Sequence, residues 1–211
     1  MQIEKNWILK YSKEEKYPFV IFDNWYTSSE EKAVWSELNF YNSLPKKYTY
    51  RSENTLTAKK NGESLSNSYR YYIDSMYKNT TISPILNCKY KQKSKEFMNL
   101  IQSLLPYSRN FVDKTNVSSM ISYYGNNDEY KEHWDTSAWT MCIWFFKEPK
   151  LFKGGEFQFP EFNTEIELRH NRAVFFPGCY LHKVKPIMLL NENENDNNGK
   201  YTITHFFFNS E

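Results

Sequence analysis

A histidine and an aspartate alternate at His133-Trp134-Asp135, and a second histidine, His182, follows the step Phe175-Phe176-Pro177-Gly178. On an extended strand every second side chain points to the same face, so His133 and Asp135 can turn toward one point. With His182 as a third donor the set becomes two imidazoles and one carboxylate. Such donors suit Fe(II), gripping it from one side and leaving positions open for substrates and O2. The chemistry these residues imply is therefore oxidative and metal-dependent.

A site of this kind needs strands to carry it. From Val117 onward the sequence breaks into short apolar segments separated by turns: Met120–Tyr124, Trp139–Phe146, Glu156–Phe159, Glu165–Leu168, Arg172–Phe176, Leu181–Pro186 and Tyr201–Phe208. That pattern predicts a barrel or jelly roll, with Lys153-Gly154-Gly155 as a tight turn. Upstream, Tyr17–Trp25 reads as a strand ending in a turn. A helix follows, with Ser28 or Ser29 as its cap, Glu30 and Glu31 in its first turn, and Ala33, Val34, Trp35 and Leu38 on its apolar face. A second helix fits the apolar spacing from Phe97 to Leu105 and stops near Pro106.

Between them, residues 48–77 are rich in Ser, Asn, Lys and Tyr, with a turn at Asn61-Gly62 and a short strand at Ser68–Ile73. Such a segment forms either part of the substrate surface, with Arg70 and Tyr72 as candidates, or a packed lid edge. The alternate lysines Lys89, Lys91, Lys93 and Lys95 read as the solvated entry to the second helix, or as a nucleic-acid patch. The polar run 191–199 reads as an exposed loop. Neither an internal repeat nor a linker divides the 211 residues, so a single domain is expected, with N-terminal support over 1–115 and a core over 116–211.

Composition excludes several classes. The 27 basic and 25 acidic residues give a formal net charge of +2, too small for global attraction to nucleic acid or membrane. Three cysteines, Cys88, Cys142 and Cys179, form no CxxC pair and are odd in number, which argues against a disulfide framework and for a reducing compartment. No stretch has the length of a membrane span and the N-terminus lacks a leader pattern, so a cytoplasmic location is expected. Aromatic residues, at 18% of the chain, suit a packed β interior.

Taken in order, Tyr124, the His133-Trp134-Asp135 pair, Gly154-Gly155-Glu156-Phe157, Phe176-Pro177 before His182, and Gly199-Lys200-Tyr201-Thr202 resemble the 2-oxoglutarate- and Fe(II)-dependent dioxygenases, in particular their prolyl 4-hydroxylase-like branch. The resemblance covers roughly Met120–Phe208. It implies a mainly β fold with flanking α-helices around a double-stranded β-helix (jelly-roll, cupin-like) core, and His133, Asp135 and His182 as ligands of Fe(II). The reaction it implies uses O2 to decarboxylate 2-oxoglutarate to succinate and to hydroxylate a second substrate, a peptidyl proline, another side chain or a small molecule, with ascorbate as a possible accessory reductant. Asp135 fits hydroxylation, because related halogenating enzymes carry a small residue there.

The far carboxylate of 2-oxoglutarate would need a buried cation with hydroxyl donors beside it. Lys200 is the choice for the cation, with Tyr124 and Thr202 as hydroxyl partners. The polar loop makes the interval from His182 to Lys200 longer than the family's usual one. Lys183 and Lys185 are nearer in sequence, but Gly199-Lys200-Tyr201 starts a strand as the family pattern has it. His170, in a turn, is expected to be structural, and His205 either lines the pocket or packs. Two other readings stand beside this one: a nucleic-acid-directed dioxygenase, and a non-catalytic cupin-like ligand-binding protein.

Overall fold

The computed structural model describes residues 8–10, 19–44, 50–51, 57–105, 115–191 and 197–209. In the N-terminal half, β1 (Ile8–Lys10) and β2 (Val20–Asp23) precede α1 (Ser28–Ser43). Next come β3 (Tyr50–Arg51), the hairpin of β4 (Lys59–Lys60) and β5 (Glu63–Ser64), β6 (Tyr69–Tyr72), the short helices α2 (Ile73–Met76) and α3 (Pro84–Asn87), and α4 (Lys95–Leu104). The rest is β: β7 (Thr115–Tyr124), β8 (Tyr130–His133), β9 (Trp139–Phe145), β10 (Phe152–Gly154), β11 (Phe157–Phe159), β12 (Thr164–Ile166), β13 (Arg172–Pro177), β14 (His182–Val184), β15 (Ile187–Leu189) and β16 (Lys200–Asn209).

The strands form an eight-stranded sheet, β1-β2-β13-β9-β16-β7-β6-β3, and a four-stranded sheet, β12-β11-β14-β8. Period-two alternation sorts the large sheet into two apolar faces. Cys142, Trp144, Phe146, Val174 and Phe176 pack against Phe157, Phe159, Ile166 and Val184 of the small sheet. The alternate residues Ile143, Phe145, Ala173, Phe175 and Ile203 pack on the helices through Val34, Leu38, Phe97 and Ile101. Burial on both faces makes β9 an unbroken buried run, as the uninterrupted apolar segment Trp139–Phe146 foreshadows. Two facing antiparallel sheets make the expected jelly roll. Strands from both halves of the sequence share the large sheet, since β2 pairs with β13 and β6 with β7.

Local chemistry explains the helices. α1 opens one residue earlier than expected, on Thr27, whose hydroxyl accepts from Glu30 N–H while the Glu30 carboxylate accepts from Thr27 N–H. On its inner face the buried carboxylate of Glu37 accepts from Ser83, Tyr41 and the Ile85 amide, which anchors α3. α4 is capped by Ser94 and buries Phe97 and Ile101, while Pro106, its expected stop, lies outside the described residues.

Two expectations need correction. Lys91 is not solvated: its ammonium is buried, donates to the Trp25 carbonyl at 2.8 Å and pairs with Glu30, so the lysine run offers no continuous basic patch. The end of the polar run is not an exposed loop either. Asn197 and Asn198 are buried, Asn197 bonding Asn39 of α1 and the Tyr201 hydroxyl, and Asn198 accepting from Lys147. Gly199 then passes so close to β7 that a Cβ would meet the Tyr124 carbonyl at 2.1 Å. Only glycine allows this approach, and it delivers Lys200 into register with Tyr124.

Candidate metal centre

His133 ends β8 and His182 begins β14, and the two are direct partners in the small sheet. Asp135 lies just past β8, not on the strand as the alternation suggests. Its amide donates to the Gly178 carbonyl at 2.8 Å, which brings the turn back over the histidines. Gly178 packs so tightly that a Cβ would meet the Ser137 carbonyl at 2.1 Å. Thus the glycine after Phe176-Pro177 closes the loop that carries the carboxylate.

The three side chains converge. One ligand atom from each lies within 4.8 Å of the others, with His133 Nε2 at 3.9 Å and His182 Nε2 at 3.6 Å from the Asp135 oxygens. These gaps exceed hydrogen-bond length yet let one ion reach all three donors. The tautomers are set from behind. His133 Nδ1 donates to the Lys131 carbonyl and His182 Nδ1 to the Tyr180 carbonyl, each at 2.8 Å. A carbonyl can only accept, so the proton resides on Nδ1 and the Nε2 lone pair faces Asp135, the form that binds a metal. Burial, and secondarily the neighbouring His182 imidazole, hold the His133 pKa well below its ordinary value, so this ring stays neutral. The Thr140 hydroxyl of β9 donates to Asp135 at 2.6 Å and orients it.

Aromatic rings wall the site. Tyr130 stacks on the His133 ring at 3.4 Å between centroids, and Phe157 stacks on His182 at 5.4 Å. The centre opens into a cavity of about 780 Å³ that reaches Tyr124, Thr202 and Arg70. Lys200 is fully buried and donates to the Gly155 carbonyl at 2.6 Å, with its ammonium 5.0 Å from the Tyr124 ring centre. Burial lowers its pKa to about 7. Lys183 and Lys185 instead pair at the surface with Glu132 and Glu165.

The remaining histidines have structural partners. His170 Nδ1 accepts from the Phe146 amide and its Nε2 faces Glu31 at 3.0 Å, as expected of a structural residue. His205 contacts Ser119 at 2.8 Å and lies in register with Met141 of the helix-facing core, so it packs and does not line the cavity.

Sequence reasoning missed the contacts of Thr140 and Tyr130 with the centre and the unpartnered Nε1 of Trp144. Trp144 Nε1 and Thr202 Oγ1 are buried and have no hydrogen-bond partner among the described residues. Tyr130 stood inside the motif stretch, but nothing in the sequence marks Trp144 as more than core.

Fold and site together define a jelly-roll protein with a His-Asp-His centre at the mouth of the barrel. The segment bearing that centre, residues 119–208, matches the model of the 2OG-Fe(II) oxygenase superfamily. A search of curated proteins finds no match. Among solved structures the fold is similar to a prolyl-4-hydroxylase from Pseudomonas putida, with a TM-score of 0.61 at 12% identity over 93% of this chain and 95% of that one. It is likewise similar to the viral collagen prolyl hydroxylase of Paramecium bursaria Chlorella virus-1 in its 2OG complex, at 0.56 and 16% over 92% and 96%. An oxidoreductase of the 2OG-Fe(II) oxygenase family from Burkholderia pseudomallei gives 0.57 and 11% over 92% and 86%.

Proposed function

We propose that the chain acts as one dioxygenase domain, holding Fe(II) through His133, Asp135 and His182 and hydroxylating a side chain of a peptide, such as a prolyl residue, or a small molecule. The observation that carries this reading is the pair of imidazoles whose Nδ1 protons are committed to backbone carbonyls, leaving both Nε2 atoms turned toward a carboxylate. When bound, Fe(II) supplies the redox chemistry that lets O2 oxidise 2-oxoglutarate to succinate and CO2 while the second oxygen atom enters a substrate C–H bond.

The residues around the centre fit the co-substrate. A carboxylate inside the barrel requires a cation and donors, and Lys200 provides the first. Among the described residues Thr202 Oγ1 and Trp144 Nε1 are buried hydrogen-bonding groups without partners, and the Tyr124 ring lies 5.0 Å from the Lys200 ammonium. Lys200, Tyr124, Thr202 and Trp144 would thus receive the far carboxylate. Thr140 holds Asp135 in place, and the rings of Tyr130 and Phe157 stack on the imidazoles and restrict them.

Ascorbate would serve as a reductant that keeps the iron ferrous. Three unbridged cysteines suit a reducing, cytoplasmic setting. The purified protein, supplied with Fe(II), ascorbate and 2-oxoglutarate, should release succinate slowly without a second substrate. The absence of both metal uptake and succinate release would refute the reading.

A further inference from the structure

Arg70 is 2% exposed, yet its guanidinium is only partly used. Nη1 faces the Met120 sulfur at 3.9 Å, and the plane lies 4.8 Å from the centre of the Tyr130 ring. Tyr130 and Tyr124 are the groups that most favour its charge, and among the described residues Nε and Nη2 meet no partner at hydrogen-bond geometry. These two atoms form one edge of the guanidinium, the edge whose parallel N–H groups fit the two oxygens of a carboxylate. The protein uses that same edge elsewhere: Arg172 Nε and Nη2 both donate to the Asp23 carboxylate.

Arg70 lines the cavity that holds His133, Asp135 and His182, and Tyr130 is sandwiched between it and the His133 ring. The Arg70 charge acts on His133 and on Tyr124, whereas Lys200 feels Cys142, Glu156 and Lys150. Tyr124 is shared by the two cations, while Arg70 also acts on the metal ligand His133 and Lys200 donates to the Gly155 turn. Charge at the mouth has the same sign, because Lys59 and Lys60 on β4 are exposed at its rim. Of the two carboxylates lining the cavity, Asp135 belongs to the metal centre and Glu132 is paired with Lys183 at 3.1 Å.

The geometry points to Arg70 as the anchor for a carboxylate on the second substrate, the molecule to be hydroxylated, separate from the carboxylate of 2-oxoglutarate. This assignment rests on the dioxygenase reading above and narrows it to acidic substrates. Lone burial of a guanidinium costs stability, so a ligand that completes its open edge binds with a charge-assisted, two-point contact and is oriented toward the metal. The carboxylate can come from a small acid or from an acidic side chain of a peptide.

The test uses Fe(II)-loaded protein under anaerobic conditions with saturating 2-oxoglutarate, and follows the thermal midpoint. A rise on adding 2-oxoglutarate to the wild type comes first; its absence refutes the dioxygenase reading and takes the inference with it. Benzoate and a terminally blocked tripeptide with a central aspartate are then added separately, against chloride and inorganic phosphate at equal ionic strength. The expected result is a further rise with at least one carboxylate, absent in Arg70→Met and weakened at least about tenfold in affinity in Arg70→Lys, which keeps the charge but not the fork. Whichever probe responds identifies the source of the carboxylate. The inference is overturned by no rise with either carboxylate, by a rise with phosphate alone, or by a response that persists in Arg70→Met. It is equally overturned if Arg70→Met weakens 2-oxoglutarate itself, which would place Arg70 at the co-substrate.

Discussion

Two buried arginines stand in one row of the large sheet. Register runs from Arg172 to Trp144, from Trp144 to Thr202, from Thr202 to Ser122 and from Ser122 to Arg70. At one end Arg172 is saturated by the Asp23 carboxylate and the Glu167 carbonyl. At the other end Arg70, a residue lining the cavity, leaves the equivalent edge without a partner among the described residues. A buried charge that is fully paired holds the fold, whereas one left open weakens it and has its use in a ligand. The difference separates the scaffold end of the barrel from the working end.

Breaking the working end at the metal should give the largest effect. Asp135→Ala or His133→Ala should abolish succinate release and metal uptake while leaving the unfolding midpoint of the metal-free protein nearly unchanged, as read by metal analysis and thermal melts.

Breaking the scaffold end should do the reverse. Asp23→Ala removes the two-point carboxylate contact of Arg172, leaving only Glu167 at its Nη1, and should cost about 3–5 kcal/mol in denaturant unfolding. Arg70→Met, in contrast, removes an unpaired buried charge and should leave the ligand-free protein at least as stable. Equal destabilisation by the two changes would erase the distinction.

Thr140→Val sharpens the comparison at smaller amplitude. It removes the donor to Asp135 without touching a ligand, and metal affinity should fall by about 10–100-fold in a competition titration.

The smallest effect concerns Lys200, whose ammonium is desolvated and whose pKa is lowered to about 7 from its ordinary 10.5. Between those values the unfolded chain binds the proton and the folded protein does not, so this group makes the ligand-free protein more stable as pH rises from about 7 toward 10. In the proposed role of Lys200, binding of 2-oxoglutarate requires the charged form. Its affinity should therefore weaken above pH 7, with proton uptake visible as buffer-dependent heat in calorimetry, and Lys200→Met should remove that dependence.

The strand pattern after Val117 was legible because a two-faced sheet imposes alternation or continuous apolar runs on its sequence. The short strands β10 and β15 escaped, since three residues beside a Gly-Gly turn carry too little pattern. The side of the sheet that Arg70 faces could not be read from an aromatic-rich segment in which both alternate sets look alike. Lys91 misled for a related reason: alternate lysines look solvated until Glu30, distant in sequence, supplies a partner.

What the sequence determined by itself was the donor set and its order, because ligand chemistry depends on residue type and HxD spacing confines two donors to one neighbourhood. The tertiary structure decided where each donor points. Gly178 brings Asp135 back over the histidines, backbone carbonyls choose the tautomers, and a close pass at Gly199 sets Lys200 beside Tyr124. It also decided which buried cation is paired and which is open, because that depends on contacts between segments far apart in the chain.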